Sequence, residues 1–165
     1  MREYSKNNDP RYWEGVRTAS NCGSYALNVI EWVVPYGYSE DYGDLDRDAM
    51  MWDIYEDSLD EEYTADMLVE RDWEELLKIF PCLRPVALSQ TTPDDVVVAY
   101  RVGVHYDEDS DFLDQDFHFR VRRDGVWSEK CGRRMVHLCD EDDPWELDDG
   151  FTYNSRIMYA IRTDN

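Results

Sequence analysis

Cys22 and His118 are the two residues of this chain whose types and settings together fit reaction chemistry. Cys22 lies in Asn21-Cys22-Gly23-Ser24-Tyr25-Ala26-Leu27-Asn28, at the mouth of an expected helix. His118 lies in Asp116-Phe117-His118-Phe119, just before Asp124-Gly125-Val126-Trp127-Ser128-Glu129-Lys130, the pattern of a β-hairpin. A helix N-terminus favours thiolate, and an imidazole brought from a sheet can take the thiol proton. Such a pair attacks carbonyl carbon and passes through a thioester.

A third group should orient the imidazole. Ser128, in the strand expected to pair with that of His118, is the first choice. Asp140 is the second, and Asp116, two positions away on the same strand face, is the third. Asn21 suits a helix N-cap and could also position the thiol or serve an oxyanion hole. His105 and His137 are rival histidines. Alternation along Phe117-His118-Phe119 turns both phenylalanines to one face and His118 to the other.

Several elements must hold these residues. Ser20 or Asn21 can cap a helix from Cys22, whose stripe of Tyr25, Ala26, Val29, Ile30 and Val33 has helical spacing and ends at Pro35. A short helix is expected near 46–57. Another runs from Thr64 to Phe80, carrying Ala65, Leu68, Val69, Trp73, Leu76 and Leu77, before Pro81 stops it. Beyond Pro93 the chain turns β-branched, and Val96–Val104 reads as a buried strand. Asp107–Asp116 reads as an acidic loop, 117–122 and 126–130 as hairpin strands about Asp124-Gly125, and 156–161 as a closing strand. Helices first and an antiparallel sheet afterwards make the class α+β. The 165 residues suit a single domain, with an irregular arm over 1–20, a mainly helical part over 21–92 and a mainly β part over 93–165.

These islands, in this order, resemble small bacterial and phage papain-like proteins. Asn21-Cys22 with Tyr25-Ala26-Leu27-Asn28, then Asp116-Phe117-His118-Phe119, then Asp124-Gly125-x-Trp127-Ser128-x-Lys130 carry the resemblance. It implies a papain-like fold and a cysteine peptidase, amidase or acyltransferase acting through Cys22 and His118. Gly23 stands where an aromatic residue is usual, and Glu129 and Cys131 also depart from the pattern around Lys130.

Composition bounds the partners. The net charge is −21, and the only lysines are Lys6, Lys78 and Lys130. So acidic a surface disfavours nucleic acid and anionic membrane as direct partners. It favours a basic peptide or protein substrate. It also supports an alternative from another class: a non-enzymatic acidic inhibitor that mimics DNA and blocks a basic site on a host protein, of the phage anti-defence type. No apolar run approaches the roughly 18 residues of a membrane span, and the first residues lack a signal-peptide core, so the expectation is a cytoplasmic protein with reduced cysteines. No metal or organic cofactor is expected. Cys131, His137 and Cys139 are metal-ligating types, but their spacing matches no standard pair of zinc ligands. The acids over 107–111 lack the glycine and terminal glutamate of a calcium loop.

Overall fold

The computed structural model describes residues 21–29, 33, 45–132 and 134–163. The expected 1–20 arm lies outside them. Among the described residues, three α-helices and a six-stranded, wholly antiparallel sheet make the protein α+β. The helices are α1 (Cys22–Leu27), α2 (Leu45–Ser58) and α3 (Glu61–Ile79). The strands are β1 (Leu83–Pro85), β2 (Val97–Asp107), β3 (Phe112–Arg123), β4 (Val126–Lys130), β5 (Val136–Cys139) and β6 (Met158–Arg162), in the order β1-β6-β2-β3-β4-β5. Among the described residues no helix is long and apolar enough to cross a membrane.

Side-chain alternation along β2 and β3 builds two cores. Val98, Tyr100, Val102, Phe119 and Val121 face the helices, where they meet Leu68, Val69, Trp73 and Leu76 of α3. Trp73 stacks on Tyr100 with ring centres 6.1 Å apart. Val97, Ala99 and Trp127 face the other way and pack with Trp145 and Tyr153 from the segment before β6. That segment approaches closely at Gly103. A Cβ there would sit 2.5 Å from a Phe151 ring carbon and inside contact distance of the Thr152 carbonyl oxygen.

Local chemistry explains where elements depart from expectation. The stripe from Cys22 to Val33 predicts a long helix, but α1 stops at Leu27. Asn28 takes a left-handed conformation (φ 61°) and caps it, a geometry asparagine adopts more readily than other non-glycine residues. Val29 and Val33 are buried all the same. The third helix starts at Glu61, not Thr64, because the Asp60 carboxylate accepts the Tyr63 N–H at 2.9 Å; the Thr64 hydroxyl donates back to the Asp60 carbonyl inside the helix. Half of the expected acidic loop is strand: Phe112–Asp116 pairs with Gly103–Asp107. The helical half of the chain also contributes a strand, since β1 pairs with β6.

Candidate active site

The hairpin register decides which side chains can meet. The two-residue turn Asp124-Gly125 pairs Arg123 with Val126, so Arg122 faces Trp127, Val121 faces Ser128 and Arg120 faces Glu129. His118 shares a sheet face with Arg120, and therefore with Glu129 and not with Ser128. His118 Nε2 lies 2.8 Å from Glu129 Oε2. Arg120 Nε donates to the same oxygen at 2.8 Å, and His137 Nε2, from β5, lies 2.8 Å from Glu129 Oε1. Ser128 is on the helix face, where its hydroxyl shares a 2.7 Å hydrogen bond with the Tyr25 hydroxyl. The residue beside the His118 ring is thus Glu129 and not the expected Ser128. Asp140 lies on an exposed loop, its backbone N–H bonded to Asp143. Asp116 accepts from the Tyr153 hydroxyl at 2.8 Å and from the Phe117 N–H.

The ladder between β3 and β4 ends at Arg120 and Glu129. Its next rung would set Phe119 opposite Lys130. That rung is absent, and the Phe119 backbone N–H lies near enough to the Cys22 sulfur to favour its thiolate form. Cys22 and His118, each 4% exposed, both line a cavity of about 710 Å³. Glu129, Cys131, Tyr153 and the acidic residues Glu146, Asp148 and Asp149 line it too. No hydrogen bond joins Cys22 to His118, and among the described residues the Nδ1 of His118 has no hydrogen-bond partner.

The electrostatics of the two groups differ. Burial pushes the Cys22 thiol up to about 12, and Asp116 and Cys131 add to this; the N–H groups of Phe119 and Gly23 pull the other way and lose. The expectation of a thiolate favoured by the helix end is therefore corrected. A six-residue helix contributes less than desolvation of the charged sulfur costs. Burial also pushes the Glu129 carboxyl up, but hydrogen bonds and charges from His118 and Arg120 outweigh it and hold the group at about 2. Glu129 is a fixed anion behind the imidazole.

Asn21 is the N-cap. Its side-chain oxygen accepts from the N–H groups of Ser24 and Val33 and from the Ser24 hydroxyl, and its amide donates to the Val33 carbonyl at 2.7 Å. Those bonds commit the side-chain oxygen and one amide N–H to the cap. Gly23 is a packing requirement, since a Cβ would lie 2.9 Å from that of Val33 and 3.1 Å from the Phe119 ring. His105 is elsewhere, between Glu61 and the Thr152 carbonyl. Trp127 belongs to the second core, and the Lys130 ammonium is buried and donates to the Gly132 carbonyl.

No family model, curated protein or solved structure matches the chain.

Three residues of the site escape a reading for nucleophile and base. Tyr153 stacks on the His118 ring at 5.3 Å, and Trp145 meets its edge at 5.8 Å. Arg120 lies over Trp145 at 4.4 Å and is fixed by the carbonyls of Asp143 and Pro144. Clamped on its faces and at Nε2, the imidazole presents one nitrogen for chemistry.

Proposed function

We propose that this protein is a papain-like cysteine hydrolase or acyltransferase, with Cys22 as nucleophile, His118 as base and Glu129 as the group that positions the base. The observation that carries this reading is the shared cavity. Cys22 and His118 both line it, while Glu129 holds Nε2 and leaves Nδ1 without a partner among the described residues. A carboxylate at Nε2 keeps the imidazole proton there and makes Nδ1 the acceptor.

The thiol is neutral at rest, so its proton leaves as the sulfur attacks. Sulfur adds to the carbonyl carbon of an amide, ester or thioester, and the proton passes to His118 Nδ1. Glu129 stabilises the imidazolium, which then protonates the leaving group. Water or an amine releases the thioester. Cavity acids Glu146, Asp148 and Asp149 favour a cationic peptide as substrate.

The test compares iodoacetamide alkylation of wild type with His118→Ala between pH 6 and 9, mass spectrometry identifying the cysteine modified. General-base assistance predicts that Cys22 reacts roughly a hundredfold faster in wild type. Equal rates in two folded proteins reject the pair.

A second reading, a non-catalytic acidic protein that covers a basic site on a host protein, is favoured by a different observation. Asp53, Glu56 and Asp57 of α2 and Glu62, Glu70 and Glu74 of α3 are exposed, on helices that cover the sheet face opposite His118. Cys22 inert in both variants would support it.

A further inference from the structure

His118 and Glu129 have a third neighbour. One donor atom each from His118, Glu129 and Cys131 lie within 4.8 Å of one another. This is not the trio of Cys131, His137 and Cys139, whose residue types suit a metal but whose spacing does not: Cys139 packs with Trp127 in the second core. We infer that His118 Nε2, the Glu129 carboxylate and Cys131 Sγ form a Zn²⁺ site, and that occupancy switches off the Cys22–His118 pair. The switching clause rests on the function proposed above; the site does not.

Donor chemistry selects the ion. One imidazole nitrogen, one carboxylate oxygen and one thiolate sulfur suit Zn²⁺, and too few oxygens are present for Ca²⁺ or Mg²⁺. Bonds of about 2.0–2.3 Å in a tetrahedron separate donors by roughly 3.3–3.8 Å. The three donors need to close by about 1.5 Å at most, and the 2.8 Å contact between His118 and Glu129 opens by about half an ångström. The fourth position is left to water or a substrate atom from the cavity that all three residues line. The carboxylate is held from behind by Arg120 and His137, the outer support that metal-bound carboxylates need. The charge on Arg120 opposes the ion and limits affinity; the Glu129 and Cys131 anions offset it.

The switch is a change of tautomer. Without the ion, Glu129 accepts the Nε2–H bond and Nδ1 carries the lone pair. With Zn²⁺ on Nε2 the neutral ring carries its proton on Nδ1, which then cannot accept the Cys22 proton. Cys131 loses its thiol proton to solvent as the ion binds, so one proton is released overall.

The experiment titrates Co²⁺ into chelator-treated, full-length protein and follows the thiolate-to-cobalt charge-transfer band. The band is expected in wild type and in Cys139→Ser. It should vanish in Cys131→Ser, with affinity down by roughly tenfold or more and the circular dichroism of the fold kept. No band in wild type, or a band that persists in Cys131→Ser, overturns the site. Saturating Zn²⁺ should slow Cys22 alkylation in wild type to the His118→Ala rate, and an unchanged rate overturns the switch. The band does not depend on Cys22 reactivity. An inert Cys22 with the band present therefore sinks the hydrolase alone, and a missing band leaves the His118 comparison standing.

Discussion

Two buried carboxylates, Asp72 and Glu129, sit on opposite sides of one sheet, and each meets an arginine. Asp72 is sealed. Arg47 donates to both its oxygens at 2.9 and 2.8 Å, and the Tyr100 hydroxyl adds a third bond at 2.8 Å. Aspartate and arginine side chains there are 0% and 1% exposed. Glu129 also accepts three bonds, but from Arg120, His118 and His137, and His137 is 52% exposed beside the cavity. The partners of Asp72 are a guanidinium and a phenol. Two of the partners of Glu129 are imidazoles. Equal hydrogen-bond counts thus serve different ends: one knot ties α2 and α3 to the sheet, and the other fixes an imidazole at the cavity.

Substitution can break that contrast. Asp72→Asn removes the anion facing a buried guanidinium and should cost about 3–5 kcal/mol in denaturant unfolding. Glu129→Gln should cost less, about 1–3 kcal/mol, because Arg120 keeps its bonds to the Asp143 and Pro144 carbonyls. Its signature is in pH. The Glu129 carboxyl lies at about 2 in the fold, against 4.5 for the ordinary group. A depressed value contributes stability that is complete above about pH 4.5 and is lost as pH falls through about 2. Acid titration of unfolding should therefore be flatter in Glu129→Gln than in wild type; parallel curves would show that the fold does not hold the Glu129 carboxyl low. The smallest effect is expected from His137→Ala, under about 1 kcal/mol for an exposed partner. Cys22 alkylation should stay as fast as in wild type. A fall to the His118→Ala rate would instead make His137 part of the proton path.

Much of this arrangement was legible in the chain, and one error is instructive. The capped start at Cys22, the helix ending near Ile79 and the Asp124-Gly125 hairpin follow from local rules that act within a few residues. His118 turning away from Phe117 and Phe119 follows from strand alternation. The same alternation, counted through a two-residue turn, places Glu129 rather than Ser128 beside His118. That signal lies in the parity of the hairpin, which sets Ser128 on the helix face. Other features were not local. Tyr153 and Trp145 reach His118 from a segment with no regular pattern, and β1 is too short to show alternation. Charge state was the least legible, since the neutral Cys22 thiol results from burial by residues distant in sequence.

The missing rung between Phe119 and Lys130 gives the molecule a gauge of its own sulfur. Most amides in the middle of a sheet report only on the sheet. The Phe119 amide lies near enough to Cys22 Sγ to act on its charge state, so its chemical shift follows whether that sulfur is thiol, thiolate or acylated. The state of one side chain is written into the backbone of β3.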